Sequence, residues 1–307
     1  MATRKIGPAM AAGCTMVIKP PTETPLTTFA VVEVLERAGL PKGVVNVILP
    51  MPVGERISAI LHDPRITNLS FTGSTEVGRI LMQQSAPTVK KMSLELGGNA
   101  PFIVFDDADI DSAVEGALAS KYRNAGQTCV CANRIYVHKK VQDAFVEKFG
   151  QAVRQLRVGN GMESGTTQGP LIDKSALQKV ERHIADAISK GAKLVTGGKQ
   201  PELGGTFFEP TVLANVTSDM LISYEETFGA VAPIIPFESD EEVVAMIESA
   251  KKAQEGKGPS PEDQKDIAQA ELNKIKAQQI IAELQGTDAE TKLDMAALLQ
   301  GKPKVYS

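Results

Sequence analysis

Short apolar runs alternate with amphipathic segments over the first 247 residues of the chain. Runs such as residues 44–48 and 231–237 have the length and the β-branched content of buried strands. Residues 26–38 carry apolar side chains at helical spacing, and Gly39 follows them, at the position where helices often take glycine. Strands that alternate with helices in this way predict βαβ units built on a parallel sheet, and therefore an α/β fold.

The pattern changes after about residue 247. All ten phenylalanines lie at or before Phe237, and the remainder of the chain is rich in Lys, Glu, Gln and Ala. Ser260 followed by Pro261 predicts one helix start, and Thr287 with Glu290 has the spacing of a capping box. We therefore predict a polar, helical tail over residues 248–307.

The overall composition excludes several classes of function. An apolar content of 42% and a charged content of 23% are ordinary for a globular protein. The net charge of −4 provides no basic field for nucleic acid or an anionic membrane surface, and no apolar run approaches the roughly 20 residues of a membrane span. The three cysteines do not form a disulfide framework, and we place one of them, Cys14, in a core strand. We expect a cytoplasmic protein, or one of the mitochondrial matrix if the N-terminus is truncated.

Residues 123–134 combine two cysteines with small and polar residues. A thiolate that attacks a carbonyl carbon needs room for its substrate, and Gly126 permits a sharp turn just before Cys129. The polar neighbours, Gln127 among them, are unusual for a core segment, so Cys129 is a candidate nucleophile; the alternative is a small buried cysteine. One residue between Cys129 and Cys131 is fewer than zinc ligands usually have, and the three histidines are scattered, so we expect no metal site.

Four further segments place candidate binding groups near the ends of predicted strands. Glu95 ends an apolar run before two glycines and could act as a general base, or be an ordinary solvated strand end. Residues 72–75 open a helix whose N-terminus could bind a phosphate, although an N-capped helix explains them as well. Lys19 could bind a ribose or a phosphate, or be a solvated loop lysine. Residues 225–229 could bind a sugar and a ring, or form a loop with one buried aromatic residue.

Together, and in this order, these segments resemble the aldehyde dehydrogenase superfamily. The resemblance extends from about Thr3 to Ile247. Five motifs carry it: residues 11–20, 71–75, 94–98, 126–129 and 225–229. Within the superfamily the chain is most similar to the succinate-semialdehyde dehydrogenases, on residues 99–106, 126–131, 158–161 and 165–172. The resemblance implies a partial Rossmann-type cofactor domain over residues 1–97 and an α/β catalytic domain over residues 98–247, ahead of the helical tail.

The resemblance assigns chemistry to three residues. Cys129 would attack the aldehyde and form a thiohemiacetal, hydride would leave for the nicotinamide, and a thioester would remain. Glu95 would activate the water that hydrolyses the thioester. Cys131 aligns with the second cysteine of a redox switch found in some relatives.

The resemblance also assigns binding roles. Arg4 and Arg123 align with arginines that pair with the far carboxylate of succinate semialdehyde, and a guanidinium suits a carboxylate. The residues implied in binding the cofactor, NAD or NADP, are Lys19, Thr22, Gly73, Ser74, Thr75, Gly78, Leu96, Glu226 and Phe228. Lys19 and Glu226 would hold the two riboses, and Ser74 would meet the pyrophosphate. Thr22 stands where NAD-preferring relatives often carry a glutamate, which leaves the choice between the two cofactors open.

Two departures from the family pattern are expected. The chain begins after the segment whose asparagine donates to the oxyanion, so we expect an N-terminal truncation, and the unrelated tail replaces the family sequence after about Ile247. The family forms homo-oligomers, but its assembly elements are among the parts not found here. Two functions follow: NAD(P)-dependent oxidation of an aldehyde, with succinate semialdehyde to succinate as the expected reaction, or a catalytically silent fragment that acts as a structural or interaction module.

Overall fold

The computed structural model describes residues 1–255, with side chains as far as residue 250. The helices of this part are α1 (Ala2–Ala11), α2 (Leu26–Arg37), α3 (Val53–His62), α4 (Thr75–Ser85), α5 (Ile110–Tyr122), α6 (Lys139–Arg154), α7 (Lys174–Ser189), α8 (Leu221–Tyr224) and α9 (Asp240–Glu255). The strands are β1 (Met16–Ile18), β2 (Val45–Val47), β3 (Asn68–Thr72), β4 (Lys91–Glu95), β5 (Pro101–Val104), β6 (Arg134–His138), β7 (Lys193–Thr196), β8 (Thr211–Ala214) and β9 (Val231–Phe237). The tail helices predicted to begin at Ser260 and Thr287 lie outside the described residues.

The strands form three sheets. β1 pairs with β2 in parallel, β3 pairs with β4, and the remaining strands form a five-stranded sheet in the order β5-β6-β9-β8-β7. This sheet is parallel except for its last pair, in which β7 and β8 are antiparallel. The predicted parallel arrangement is therefore found for β5, β6, β9 and β8, and β7 joins the edge of this sheet in the antiparallel direction. The segment between β7 and β8 contains no helix to carry the chain back across the sheet, so the next strand runs in the opposite direction.

The core of the larger unit lies on the two faces of the five-stranded sheet. Every residue of β6 and β8 is buried, and all but one of β9. On one face Tyr136 and Ile235 belong to the same apolar cluster as Val180 of α7. On the other face Ile135 belongs to a cluster with Phe145 of α6. Side chains that alternate between two covered faces explain why the central positions of these strands are apolar on both faces.

Helix caps explain where several helices begin. The Asp109 carboxylate accepts a hydrogen bond from the backbone N–H of Ser112 at 2.7 Å, at the start of α5. Asp173 does the same for α7, with the N–H of Ala176 at 2.7 Å. An N-cap carboxylate satisfies a backbone donor that has no partner inside the helix and complements the positive end of the helix dipole.

Two predicted strands begin later than expected. Cys14 lies outside β1 and is exposed, so its assignment to the core is wrong. The pattern of residues 89–95 predicts a strand that begins at residue 89, but Val89 has a left-handed backbone with φ of 47° at the end of a short 3₁₀ segment, and β4 begins at Lys91. Both errors come from apolar or small residues next to a strand, where composition does not mark the point at which pairing begins.

The described chain separates into two compact units. The larger comprises residues 1–48, 70–78 and 93–255, and the smaller comprises residues 49–69 and 79–92. In the smaller unit the Lys90 ammonium donates to the backbone carbonyls of Asp63, at 2.9 Å, and Ile66. None of the helices described in residues 1–255 has the length and apolar character needed to span a membrane.

Candidate active site

The loop that carries Cys129 begins where α5 ends. A short 3₁₀ segment, Arg123–Gly126, contains two non-glycine residues with left-handed backbone, Asn124 with φ of 54° and Ala125 with φ of 55°. The chain then turns through Thr128 and places the Cys129 side chain at the surface. Among the described residues, the Cys129 thiol has no hydrogen-bond partner, so it is open to an approaching electrophile.

Gln127 fixes the position of this loop. Its amide donates to the carbonyl of Pro170 at 3.3 Å, and its carbonyl oxygen accepts from the N–H of Ile172 at 2.9 Å. The Asn124 side chain donates to the carbonyl of Gln127 at 3.0 Å. The polar character that made this segment unusual for a core therefore has a structural use: the side-chain amides anchor an exposed loop to the segment at 170–172.

Gly126 allows the cysteine loop to contact a second loop. Its backbone φ is 73°, and a Cβ added there would overlap the carbonyl oxygen of Gly229. Only a glycine permits this close approach of two backbones. Residues 225–229, which contain Glu226 and Phe228, are thereby packed against the segment that carries Cys129.

Cys131 has a different environment from Cys129. Its side chain is 1% exposed, and its thiol lies 3.4 Å from the carbonyl oxygen of Gly126. Both cysteines are free thiols. The two cysteines are thus two residues apart in sequence, with the Cys129 thiol at the surface and the Cys131 thiol in the interior. A redox role for the pair stays a prediction.

The segment after β4 forms hydrogen bonds with the end of the cysteine loop and with helix α8. The Asn133 amide donates to the carbonyl of Gly98 at 3.1 Å, and the Asn99 amide donates to the carbonyl of Ser223 at 3.3 Å. The Arg134 guanidinium donates to the carbonyl of Asn99 at 3.1 Å through Nε. Three segments that are far apart in sequence therefore meet around Gly98 and Asn99.

Glu226 completes this junction. Its Oε1 accepts a hydrogen bond from the N–H of Gly98 at 3.2 Å, and a Cβ on Gly97 would overlap its carboxylate. Burial raises the pKa of Glu226, while the hydrogen bond from Gly98 and the charge of Lys179 oppose the rise. Gly97 thus makes room for a carboxylate, and Gly98 donates its backbone N–H to it.

The residues assigned to general base and substrate binding lie at the surface. Glu95 ends β4, and its side chain is exposed, as are those of Arg4 on α1 and Arg123. The half-buried Lys5 lies near Glu95: burial lowers the pKa of Lys5, and the Glu95 charge opposes this. Among residues 1–255, no hydrogen bond or ion pair joins the side chains of Cys129, Glu95, Arg4 and Arg123, so the structure does not bring these groups into direct contact.

The residues assigned to the cofactor divide between two places. Ser74 caps α4, its hydroxyl accepting from the N–H of Val77 at 3.3 Å, and a Cβ on Gly78 would lie 2.7 Å from Leu96. Thr75 begins α4, and Gly73 links the helix to β3, its N–H donating to the carbonyl of Glu95 at 3.0 Å. The N-terminus of α4 therefore lies beside the end of β4, in the larger unit.

Besides Glu226, described above, the other residues assigned to the cofactor are Lys19, Thr22 and Phe228. The Lys19 ammonium, just after β1, lies 3.4 Å from the Thr22 hydroxyl. Phe228 has a left-handed backbone with φ of 52°, and its side chain is 38% exposed. An ammonium, a hydroxyl, a helix N-terminus and a carboxylate are the donors and acceptors that a dinucleotide needs, so the residues present fit such a group. In the described part of the chain, no three His, Cys, Asp or Glu residues are grouped to hold a metal ion.

Two buried residues near the site were not identified from the sequence. Lys121, on the last turn of α5, is fully buried, and in the part of the chain that the structure describes its ammonium has no hydrogen-bond partner. Burial lowers the pKa of Lys121, and the electrostatic influence of Cys131 and Glu226 opposes this. His183 on α7 is also fully buried and contacts the loop at 225–229. Each lies on the apolar stripe of its helix, and that position is the signal that could have identified it.

Comparisons with known proteins agree with the motifs. The model of the aldehyde dehydrogenase family matches residues 1–257. Over 246 residues the chain is 60% identical to the glutarate-semialdehyde dehydrogenase of Pseudomonas aeruginosa, covering 80% of this chain and 51% of that protein. It is 58% identical to the NADP(+) succinate-semialdehyde dehydrogenase of Escherichia coli, with the same coverage. The crystal structure of succinate-semialdehyde dehydrogenase from Burkholderia pseudomallei matches with a TM-score of 0.78 at 60% identity, over 80% of this chain and 51% of that one.

The chain spans about half the length of the curated relatives it matches. The family match nevertheless extends over most of the 307 residues and ends near the point where the motifs end. With relatives at 58–60% identity, it shows that the chain belongs to the aldehyde dehydrogenase family.

Proposed function

We propose that the chain carries the thiol site of an NAD(P)-dependent dehydrogenase that oxidises a short acidic aldehyde, with succinate semialdehyde as the first substrate to test. One observation supports this above the others. Cys129 is exposed on a loop that Gln127 and Gly126 fix in place, while its neighbour Cys131 is buried. A solvent-facing thiol on an ordered loop is what nucleophilic attack on an aldehyde requires.

The proposed substrate class rests on charge. The relatives named above act on glutarate and succinate semialdehydes, which both carry a carboxylate at the end opposite the aldehyde. Arg4 and Arg123 are exposed here and form no ion pair with another described residue, so both guanidinium groups are available to an anionic substrate. An arginine binds a carboxylate through two parallel hydrogen bonds, which would favour an acidic aldehyde over a neutral one of equal length.

The chain's own residues would divide the work as follows. The Cys129 thiolate adds to the aldehyde carbon and holds the substrate covalently. When bound, a nicotinamide cofactor would supply the acceptor for the hydride that the adduct loses, and Cys129 would keep the acyl group as a thioester. Glu95, at the exposed end of β4, takes a proton from the water that hydrolyses this thioester and releases the acid.

The proposed cofactor is NADP or NAD, with NADP the first to test because the Escherichia coli relative is named for it. Lys19 and Glu226 would hold the riboses, and the N-terminus of α4 with Ser74 would meet the pyrophosphate. Thr22 carries no charge that would repel a 2′-phosphate. The Thr22 hydroxyl lies 3.4 Å from the Lys19 ammonium, whose positive charge would attract a 2′-phosphate.

The test is reduction of NADP or NAD by the chain with succinate semialdehyde, glutarate semialdehyde and butanal as a neutral aldehyde. We expect turnover with the two acidic aldehydes and its loss in Cys129→Ser. Cys14→Ser is the matched control, because Cys14 is also exposed but lies outside the site. Arg123→Met should weaken the acidic aldehydes and leave butanal unchanged. An absence of both turnover and cofactor binding would contradict the proposal and favour a silent module.

A further inference from the structure

Helix α7 contacts the loop at 225–229 on the side opposite Gly98. The ring of His183 is fully buried, with Nδ1 3.0 Å from the Thr227 hydroxyl and Nε2 3.2 Å from Glu225 Oε2. One turn earlier on the same helix face, Val180 lies against Gly229, where an added Cβ would be 2.5 Å from its methyl group. α7 therefore contacts Glu225, Thr227 and Gly229, at alternate positions of the loop.

The hydrogen-bond partners fix the form of the His183 ring. A carboxylate can only accept, so Nε2 must carry the proton that is shared with Glu225. Burial lowers the pKa of His183 to about 4, so the ring is neutral at pH 7 and has a single N–H. Nδ1 must then accept, and the Thr227 hydroxyl donates to it.

The residue between the two partners points the other way. Glu225 and Thr227, the residues on either side of Glu226, both place their side chains against the His183 ring. With Glu225 and Thr227 turned toward α7, the Glu226 carboxylate is turned toward Gly98, whose N–H it accepts at 3.2 Å.

We propose that His183 is a positioning residue: its imidazole, held as the Nε2–H tautomer, bridges Glu225 and Thr227 and so directs the Glu226 carboxylate toward the turn at Gly97 and Gly98. The part of this proposal that concerns cofactor affinity rests on the proposed function, in which Glu226 holds a ribose. The orientation of Glu226 does not depend on that function and is measured separately.

The charges around His183 agree with a neutral ring. Glu225 is its partner, and the Arg182 guanidinium lies 3.0 Å from the same carboxylate oxygen. Lys179 and Arg182 on α7 both disfavour a second proton on the ring, and Asp186 on the next turn is a further nearby charge. At neutral pH the contact with Glu225 is therefore a hydrogen bond to a neutral imidazole and not an ion pair.

The first measurement is nitrogen NMR of the full chain labelled in its three histidines. The proposal expects His183 to show an Nε2–H signal, protected from exchange, and an unprotonated Nδ1 at pH 7. An Nδ1–H tautomer or a charged ring at that pH would overturn it. His138→Gln assists the assignment and is the matched control, since this other buried histidine contacts the carbonyl of Glu238 at 2.9 Å instead of the loop at 225–229.

The second measurement is hydrogen exchange of the Gly98 amide. Glycine labelled with both ¹³C and ¹⁵N isolates the Gly-Gly pairs of the sequence, at 97–98, 197–198 and 204–205. Gly198, whose N–H donates to the Thr211 hydroxyl at 2.8 Å, is the internal reference. His183→Leu should accelerate exchange at Gly98 by about tenfold, the effect of losing roughly one hydrogen bond, and leave Gly198 unchanged.

Conservative variants separate positioning from general packing. His183→Gln retains one donor and one acceptor and should restore most of the protection at Gly98. Thr227→Val removes the hydroxyl and should accelerate exchange, whereas Thr227→Ser should not. If His183→Leu does not fold, the two Thr227 variants decide the question. Unchanged protection of Gly98 in Thr227→Val and in a folded His183→Leu would overturn the proposal.

Cofactor titration provides the functional measurement. With NADPH fluorescence as the probe, His183→Leu should raise the dissociation constant by about tenfold, and His183→Gln and His138→Gln by much less. If the unmodified chain binds neither NADPH nor NADH, the proposed function fails for this chain, while exchange at Gly98 still decides the role of His183. Binding that is equal in His183→Leu and the unmodified chain would overturn the link between His183 and cofactor affinity.

Discussion

Replacing Lys121 by methionine should make the protein more stable. Lys121 is fully buried on α5, and among the residues that the structure describes its ammonium nitrogen has no hydrogen-bond partner. A buried polar group without a partner destabilises a fold by about 1–3 kcal/mol. Methionine has a length similar to that of lysine and carries no charge. A core substitution that conserves the side-chain volume destabilises a protein by less than about 1.5 kcal/mol.

The effect should depend on pH in a defined direction. Burial lowers the pKa of Lys121, so between the folded-state pKa and the unfolded-state pKa the unfolded chain binds more protons at this residue than the folded chain does. The stability of the unmodified protein should therefore rise with pH, by up to about 1.4 kcal/mol per pH unit, until the pH passes the unfolded lysine pKa near 10.4. The difference in the free energy of unfolding between Lys121→Met and the unmodified protein is therefore largest at low pH. As the pH rises, this difference shrinks by the amount that the unmodified protein gains in stability.

Urea unfolding at pH 7, 8 and 9 measures the free energy of unfolding of both proteins. Lys148→Met is the control, because Lys148 forms a surface ion pair with Asp111 and its replacement should change stability by no more than about 1 kcal/mol. If Lys121→Met were less stable than the unmodified protein at pH 7, or if the difference between them did not change with pH, the Lys121 ammonium would have a compensating partner and the reasoning would fail.

Two further predictions concern the loops around Cys129. Gly126→Ala should destabilise the protein by about 2 kcal/mol or more in thermal unfolding, because the new Cβ meets the Gly229 carbonyl and the alanine must adopt a left-handed backbone. Gly191→Ala is the control, because Gly191 has φ of 100° but open space around it. This variant measures the backbone contribution alone and should lose less stability than Gly126→Ala. Glu226→Gln keeps an acceptor for the N–H of Gly98 and removes a half-buried carboxylate, and burial raises the pKa of this carboxyl group. The variant should therefore have a higher midpoint of thermal unfolding at pH 7 and lose that advantage near pH 4, where the carboxyl group takes up a proton. It should also weaken NADPH binding in titration. A higher NADPH affinity in Glu226→Gln, or a Gly126→Ala protein as stable as Gly191→Ala, would contradict these assignments.

The regular part of the fold follows from local pattern. β8 and β9 have the bounds that their apolar runs predict, because a strand covered on both faces is continuously apolar. The antiparallel direction of β7 could not be predicted in this way. Residues 193–196 have the same local composition whichever way the strand runs, and the direction depends on the helix-free segment that follows.

The site residues also differ in whether the sequence predicts their role. The motif glycines and Cys129 could be recognised because their order along the chain matches a family. Lys121 and His183 could not be assigned a role, because their partners lie on other segments. Their positions were nevertheless readable: Val114, Ala117 and Lys121 follow one face of α5, and a polar residue on such a face must be buried.

Backbone strain connects the two loops of the site. Among the described residues, five that are not glycine have positive φ, and three of them, Asn124, Ala125 and Phe228, belong to the cysteine loop or to the loop at 225–229. Such conformations cost about 1–3 kcal/mol each for ordinary residues and persist only where the surroundings impose them. Here the surroundings are the other loop, since Gly126 and Gly229 touch through their backbones. The glycines of two motifs 103 residues apart are therefore a contact pair, and their contact joins the loop that carries Cys129 to the loop that carries Glu226.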